Sequence, residues 1–151
     1  MVLAVLVCQL AGFIGSIFTF SAISEWYAFL EKPFFSPPNF VFAPVWIALY
    51  TLMGVALYLV WEKGLEKQPV TAAIKIFSIQ LMLNSTWSVI FFGLKNLAIA
   101  FIVILLLWIA IAVTIKKFYP LSKKTAWLLT PYLIWVSFAT ILNLSIWLLN
   151  T

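Results

Sequence analysis

The sequence predicts an all-α membrane protein, a bundle of five transmembrane helices with a long structured loop between helices 1 and 2. Of its 151 residues, 66% are apolar and only 9% are charged, whereas a soluble domain has about 25% charged residues. A chain of this length cannot bury so much apolar surface away from water, so its solvent must be lipid. The apolar residues also form five separate stretches, each long enough to cross the hydrocarbon core of a bilayer.

The five stretches predict helices at about 2–23, 42–61, 71–92, 97–116 and 124–149, and residues 1–151 form one predicted transmembrane domain. The first stretch is of full spanning length with no basic region before it, so we expect a retained helix rather than a signal peptide. Its Gly12, Gly15 and Ser16 allow close helix approach, within one chain or between two. Pro44 falls in the first turn of the second stretch, where a missing amide hydrogen costs little. Pro131, inside the fifth, should kink that helix or remove one backbone hydrogen bond.

The loop at residues 24–40 is rich in both proline and phenylalanine. Its prolines fix the backbone angle φ and remove amide donors, so the loop cannot be helical throughout. A linker exposed to water would normally avoid three phenylalanines. We therefore interpret the loop as a stiff lid folded over the mouth of the bundle, with a binding site beneath it. The prolines are Pro33, Pro37 and Pro38, and the phenylalanines are Phe34, Phe35 and Phe40.

The lysines are divided unequally between the two ends of the predicted bundle. Only Lys32 and Lys95 fall at the end that carries the lid, and the other seven of the nine fall at the opposite end. The positive-inside rule then places the N-terminus in the cytoplasm of a prokaryotic cell and the lid outside. Because these lysines flank apolar stretches, we expect them to contact the lipid bilayer and expect no nucleic acid partner.

The sequence contains no histidine and no aspartate, which excludes the usual hydrolytic and zinc sites. The four glutamates lie at the ends of the apolar stretches, whereas proton-relay transporters place carboxylates inside them. The single cysteine, Cys8, allows no disulfide within the chain.

Aromatic and amide side chains share helical faces. Gln80, Asn84, Trp87 and Phe91 are spaced i, i+4, i+7 and i+11, which places them on one side of a helix. Two interpretations of the amides remain open: hydrogen bonds between helices, or the polar lining of a cavity. Trp108, in the middle of its stretch and with no polar companion, should face lipid. Two further faces comprise Ala43, Trp46, Tyr50 and Met53 in the second helix, and Tyr132, Trp135, Ala139, Leu142 and Asn143 in the fifth.

A cavity lined by indole rings would suit a large, flat, apolar ligand with a few carbonyl or carboxylate groups, such as a porphyrin. No cofactor is required for such binding.

The same residues resemble the signature of a known family. Residues 26–61 contain the pattern WYxxLxKPxFxPPxxxFxPVWxxLYxxMGxAxYLVW, and residues 80–93 and 131–143 supply two further segments in the same order. This arrangement is similar to the TspO/MBR family, which includes the tryptophan-rich sensory proteins and the mitochondrial translocator protein (peripheral benzodiazepine receptor).

The resemblance implies a five-helix bundle, often a homodimer, that binds porphyrins, haem or isoquinoline carboxamide-type ligands beneath the first loop. It places Trp46, Asn84 and Trp135 in the pocket, and it implicates the two tryptophans in light-dependent porphyrin degradation. Together, the helical faces and the family motif predict these ligand-binding residues: Trp26, Pro37, Pro38, Ala43, Trp46, Tyr50, Asn84, Trp87, Trp135, Ala139 and Leu142.

One departure concerns sterols. Leu144 stands where animal members have an aromatic residue, and no basic residue follows it, so we do not expect sterol binding there. A haem would have to be held by shape, by stacking or by a ligand other than histidine.

Three functions follow from these patterns. The first is a sensory or regulatory protein that binds tetrapyrroles. The second is a porphyrin-degrading enzyme driven by light, with Trp46 and Trp135 as its catalytic residues. The third is a transporter of porphyrins or lipids, for which the sequence shows neither an inverted repeat nor a charge inside a helix.

Overall fold

The fold is a bundle of five membrane-length helices, in a computed structural model that describes residues 1–151. All five helices are long and apolar enough to cross a membrane, and the chain contains no strand. The predicted fold class is therefore confirmed. The helices are α1 (Val2–Glu25), α2 (Phe42–Trp61), α3 (Gln68–Ser88), α4 (Leu97–Phe118) and α5 (Lys123–Leu149).

The helices pack in the ring order α1, α2, α5, α4, α3, and α3 closes the ring against α1. Antiparallel helices with short connections, such as α3 and α4, become neighbours in this way. The connections 62–67 and 119–122 lie at one end of the bundle, and the loop 26–41 lies at the other with the C-terminus. The cytoplasmic position of the N-terminus stays a prediction.

The end of the bundle near residues 62–67 is solidly packed. Phe77 of α3 stacks on Phe118 of α4, with ring centroids 5.8 Å apart and planes 12° from parallel. Val60, Val70 and Leu129 are completely buried around this pair. Any internal space must therefore lie in the opposite half, toward the loop.

Glycines allow α1 to approach its neighbours closely. A Cβ atom added to Gly54 of α2 would lie 2.4 Å from Cα of Val5, and one added to Gly12 would lie 2.3 Å from Tyr50 Cε2. The Cβ position of Gly15 is 3.0 Å from Ser88 Cβ. The glycines of α1 thus pack within one chain, and the homodimer stays a prediction.

The loop between α1 and α2 lies along α5. The Asn150 carboxamide accepts from the Glu31 backbone N–H at 3.0 Å and donates to the Glu31 carbonyl at 2.9 Å. Phe35 packs edge-on against Phe138 of α5, with ring centroids 6.2 Å apart. These contacts hold the middle of the loop against α5.

The interpretation of the loop as a lid rested on three phenylalanines that would avoid water, but two of them are exposed. Phe34 is fully exposed, and Phe40 is 78% exposed. Phe34 and Phe35 occupy the corner of a turn that is closed by a hydrogen bond from Ser36 N–H to the Pro33 carbonyl, 3.0 Å long. The two rings pack edge-on against each other, and Phe35 also contacts Phe138 of the bundle.

The contact between Gly54 and Val5 predicts the effect of a single methyl group. Gly54→Ala pushes Cβ against backbone atoms, and overpacking of this kind costs about 1–3 kcal/mol, more than the roughly 1 kcal/mol that alanine gains over glycine in a helix. We expect thermal unfolding in detergent at a midpoint about 2–8 °C lower. Ser21→Thr, which adds one carbon to an exposed position of α1, is the matched control. A midpoint for Gly54→Ala equal to or above wild type would contradict this packing.

Candidate ligand cavity

A cavity of about 570 Å³ lies in the half of the bundle next to the loop, within the range typical of small-molecule sites. Its wall is built by α1, α2, α5, the end of α3 and two loop residues, Tyr27 and Asn39. No residue of α4 contributes, and no charged side chain lies on the wall. The cavity is therefore suited to a guest whose body is uncharged and apolar.

An indole cluster forms one side of this wall. The Trp46 ring of α2 stacks against Tyr50, with centroids 5.6 Å apart and planes 29° from parallel. Its centroid lies 6.5 Å from those of both Trp87 of α3 and Trp135 of α5, and the Trp135 plane is nearly perpendicular. Tryptophans from three helices, predicted on three separate faces, thus come together around Trp46.

A π-helical turn at Val89–Gly93 extends α3 and shapes the wall near the loop. Its wider turn places the consecutive rings of Phe91 and Phe92 on the cavity side, with centroids 4.7 Å apart. Gly93 permits the approach of α1, because a Cβ there would lie 2.9 Å from Phe18 Cδ1. Single π turns inside helices often occur at functional sites.

Asn84 lies behind the wall, in a chain of hydrogen bonds that joins three helices. The Tyr50 hydroxyl donates to Asn84 Oδ1 at 2.5 Å, and Asn84 Nδ2 donates to the Tyr132 hydroxyl at 2.8 Å. Asn84 is 1% exposed. Of the two interpretations that the sequence left open, the hydrogen bond between helices describes its position.

Asn143 of α5 plays a similar part on the wall itself. Its Oδ1 accepts from Trp87 Nε1 at 3.0 Å, and its Nδ2 donates to the Leu97 carbonyl at 3.0 Å. The Trp87 indole is thereby fixed between α3, α5 and the start of α4. Trp135 Nε1, by contrast, is buried without a partner.

Trp108 differs from the expectation. It is 38% exposed, and its Nε1 donates to Ser137 Oγ of α5 at 2.7 Å. The expectation that it has no polar companion was wrong, because the acceptor lies on a neighbouring helix and not on its own face.

The positive charge of Lys32 lies near the loop end of the cavity. Tyr27 is buried, and Lys32 Nζ lies 4.9 Å from the centroid of its ring. Lys32 Nζ also donates to the Leu30 carbonyl at 3.0 Å. Burial raises the pKa of the Tyr27 hydroxyl, so this group remains neutral and able to donate a hydrogen bond at physiological pH.

Most of the sequence-predicted site residues lie on the wall, but four do not. Asn84 is behind it, and Trp26 packs edge-on against the far side of Phe91 at 5.8 Å. Pro37 and Pro38 precede the 3₁₀ turn Asn39–Val41, which brings Asn39 to the wall in their place. The seven residues on the wall are Ala43, Trp46, Tyr50, Trp87, Trp135, Ala139 and Leu142.

The contribution of α1 was missed by the sequence reasoning. Gln9, Gly12, Gly15 and Thr19 line the cavity from this helix. Their spacing places small or polar residues on one helical face, and this was the available signal. It indicated close packing equally well, which α1 also shows.

Five membrane-length helices around an uncharged aromatic cavity define a multi-pass integral membrane protein with a small-molecule-sized internal site. Comparison with known proteins assigns the family. The profile of the TspO/MBR family matches residues 4–148, and the chain belongs to that family.

Similar proteins come from all three domains of life. The chain is 45% identical to tryptophan-rich protein TspO of Archaeoglobus fulgidus, over 99% of this chain and 96% of the relative. It is 40% identical to human translocator protein, over 92% and 83% of the two chains. It is 37% identical to the tryptophan-rich sensory protein of Cereibacter sphaeroides, over 83% and 77%. The resemblance stated from the sequence is therefore confirmed.

The hydrogen bonds of Asn84 predict a context-dependent loss of stability. Asn84→Leu leaves the hydroxyls of Tyr50 and Tyr132 without partners, at a cost of about 1–3 kcal/mol for each buried group. In a Tyr50→Phe/Tyr132→Phe background the same substitution should cost far less, because no polar group is left unsatisfied. Unfolding free energies measured in mixed micelles give the comparison. Equal losses in the two backgrounds would contradict a coupled network.

Proposed function

We propose that this protein is an integral membrane sensory or regulatory protein that binds a tetrapyrrole, a porphyrin or haem, in the cavity beside the loop. The observation that carries the proposal is the cluster of Trp46, Trp87 and Trp135 on the wall of an uncharged cavity. Relatives carry the names sensory protein and translocator protein, which supports a regulatory role in a membrane.

The shape and chemistry of the wall favour a flat guest. Large aromatic rings contribute most through offset-stacked and edge-on contacts with other aromatic rings. The Trp46 and Trp135 rings are nearly perpendicular. One can therefore stack on the face of a planar ligand while the other contacts its edge. A planar macrocycle uses both contacts at once, whereas a flexible aliphatic chain uses neither.

The position of charge gives the guest an orientation. Carboxylates buried without a partner are strongly destabilised, and the wall has no cation to pair with them. The propionate groups of a porphyrin should therefore lie at the loop end, where Lys32 covers the Tyr27 ring. The apolar edge of the macrocycle then points away from the loop, toward Tyr50.

Haem differs from metal-free porphyrin in needing axial ligands for its iron, and the wall has few side chains that could serve. The usual axial ligands of haem are histidine, cysteine, methionine and tyrosine, and of these only Tyr27 and Tyr50 lie on the wall. Binding should thus depend on the ring more than on the iron. Isoquinoline carboxamides, which are flat and uncharged, should compete for the same space.

Replacement of two indoles tests the site. Trp46→Leu/Trp135→Leu removes aromatic contacts worth about 0.5–1.5 kcal/mol each beyond their buried area, so we expect protoporphyrin affinity to fall about 5-fold to 100-fold. A fluorescence-quench titration in detergent or liposomes measures this. Trp127→Leu, at a tryptophan that is 69% exposed and off the cavity wall, is the matched control. Unchanged affinity in the double variant would refute the site.

A second candidate function is the light-dependent oxidation of the bound porphyrin by molecular oxygen. It is favoured by the direct contact of two oxidisable indoles, Trp46 and Trp135, on the wall. Illumination of the wild-type protein with protoporphyrin in air should then give a new absorbing product. Trp46→Phe/Trp135→Phe should bind porphyrin but give no such product. Absence of the product in the wild type, or equal yields from both proteins, would exclude this function.

A further inference from the structure

The cavity opens sideways, through a gap between α1 and α2. Several of its lining residues are also exposed on the outer surface of the bundle, so they mark the rim of an opening. On α1 they recur at i, i+3 and i+7, and on α2 at i and i+4, which describes one edge of each helix. The rim residues are Phe13, Ser16 and Phe20 on α1, and Ala43 and Ile47 on α2.

On the side of the gap away from the loop, α1 and α2 are joined by hydrogen bonds and close packing. Gln9 Nε2 of α1 donates to the Ile47 carbonyl and to Thr51 Oγ1 of α2, both at 3.0 Å. One turn further toward the N-terminus, Gly54 lies against the backbone of Val5. Gly12 of α1 then lies against the Tyr50 ring of α2, so the two helices are in contact up to Gly12 and the gap lies beyond it.

The loop end is fastened as well. The carboxamide of Asn150 pairs with both backbone groups of Glu31, and Phe35 packs against Phe138. A guest that arrived from water through the loop would have to break these contacts. No contact of that kind spans the gap between Ser16 and Ala43.

The gap lies at the depth of the acyl chains. Ser16 is nine residues before Glu25, the charged end of α1, which corresponds to about 14 Å along the helix. The hydrocarbon core of a bilayer is about 30 Å thick, so the opening faces the half of the bilayer nearer the loop.

We infer that the guest of this cavity reaches it laterally from the bilayer, between α1 and α2, and not from water through the loop. The inference rests on the proposed function. A macrocycle dissolved in the membrane already has its ring among the acyl chains and its carboxylates at the head groups. It can slide into the gap without reorientation, and its carboxylates then meet the loop end near Tyr27.

Binding kinetics in liposomes test the route, with the fluorescence of protoporphyrin itself as the signal. Ser16→Trp narrows the gap, and Leu10→Trp places the same ring on the exposed face of α1 away from the cavity. Asn150→Ala releases the loop from α5. Ile47→Trp narrows the gap from the α2 side, should Ser16→Trp fail to fold by circular dichroism.

We expect the variant that narrows the gap to slow association and dissociation together, by about tenfold or more, so that the dissociation constant changes less than either rate. Leu10→Trp and Asn150→Ala should leave both rates within about twofold of wild type. Faster exchange in Asn150→Ala, with unchanged rates in the narrowed variants, would overturn the lateral route. Absence of any binding to the wild type would instead refute the proposed function.

Discussion

The arrangement of the helices depends on two buried carboxamides, which supply hydrogen-bond partners that lipid cannot offer. Asn84 does so for Tyr50 and Tyr132, and Asn143 does so for Trp87 and the start of α4. These two carboxamides fix the distances between α2, α3, α4 and α5. The indole cluster can therefore line an open space without the helices closing on it.

The helix α1 makes no hydrogen bond to Asn84 or Asn143. The cavity lies between α1 and the helices that these two residues join. The close contacts of α1 with α2 involve Val5, Gln9 and Gly12, all in its N-terminal half. Toward Glu25, the small side chains of Gly15, Ser16 and Thr19 line the cavity and leave space between α1 and the rest of the bundle. A bulky apolar face at these positions would pack against Trp46 and remove the cavity. The same feature that creates the site thus also leaves its side open to lipid.

The helices and their aromatic faces could be predicted from the sequence, whereas features that join two elements could not. Periodicity places Trp87 and Asn84 on one face of α3, because both lie on one regular helix. It cannot show that Asn143 would bond Trp87, that Ser137 would bond Trp108, or that Phe91 and Phe92 would share a face through a π turn. Each of these depends on a neighbouring helix or on a local change of helical period. The position of the loop could not be predicted for a related reason. Its prolines restrict the backbone, but the loop is held in place by Asn150, which lies 119 residues away from its partner Glu31.

The lipid around this protein also explains why three tryptophans lie on the wall of its cavity. A guest that comes from the bilayer is already removed from water, so the hydrophobic effect contributes little to its transfer into the cavity, as it contributes little to helix association in membranes. Leucine side chains resemble the acyl chains that the guest leaves behind. Selective binding must therefore come from contacts that lipid cannot make, namely ring stacking, edge-on aromatic contacts and a hydrogen bond or charge at one end. Trp46, Trp87 and Trp135 supply the first two, and Tyr27 with Lys32 supplies the last. Under the proposed function, a wall of this composition would select flat molecules by shape, and the polar end would determine how each one is oriented.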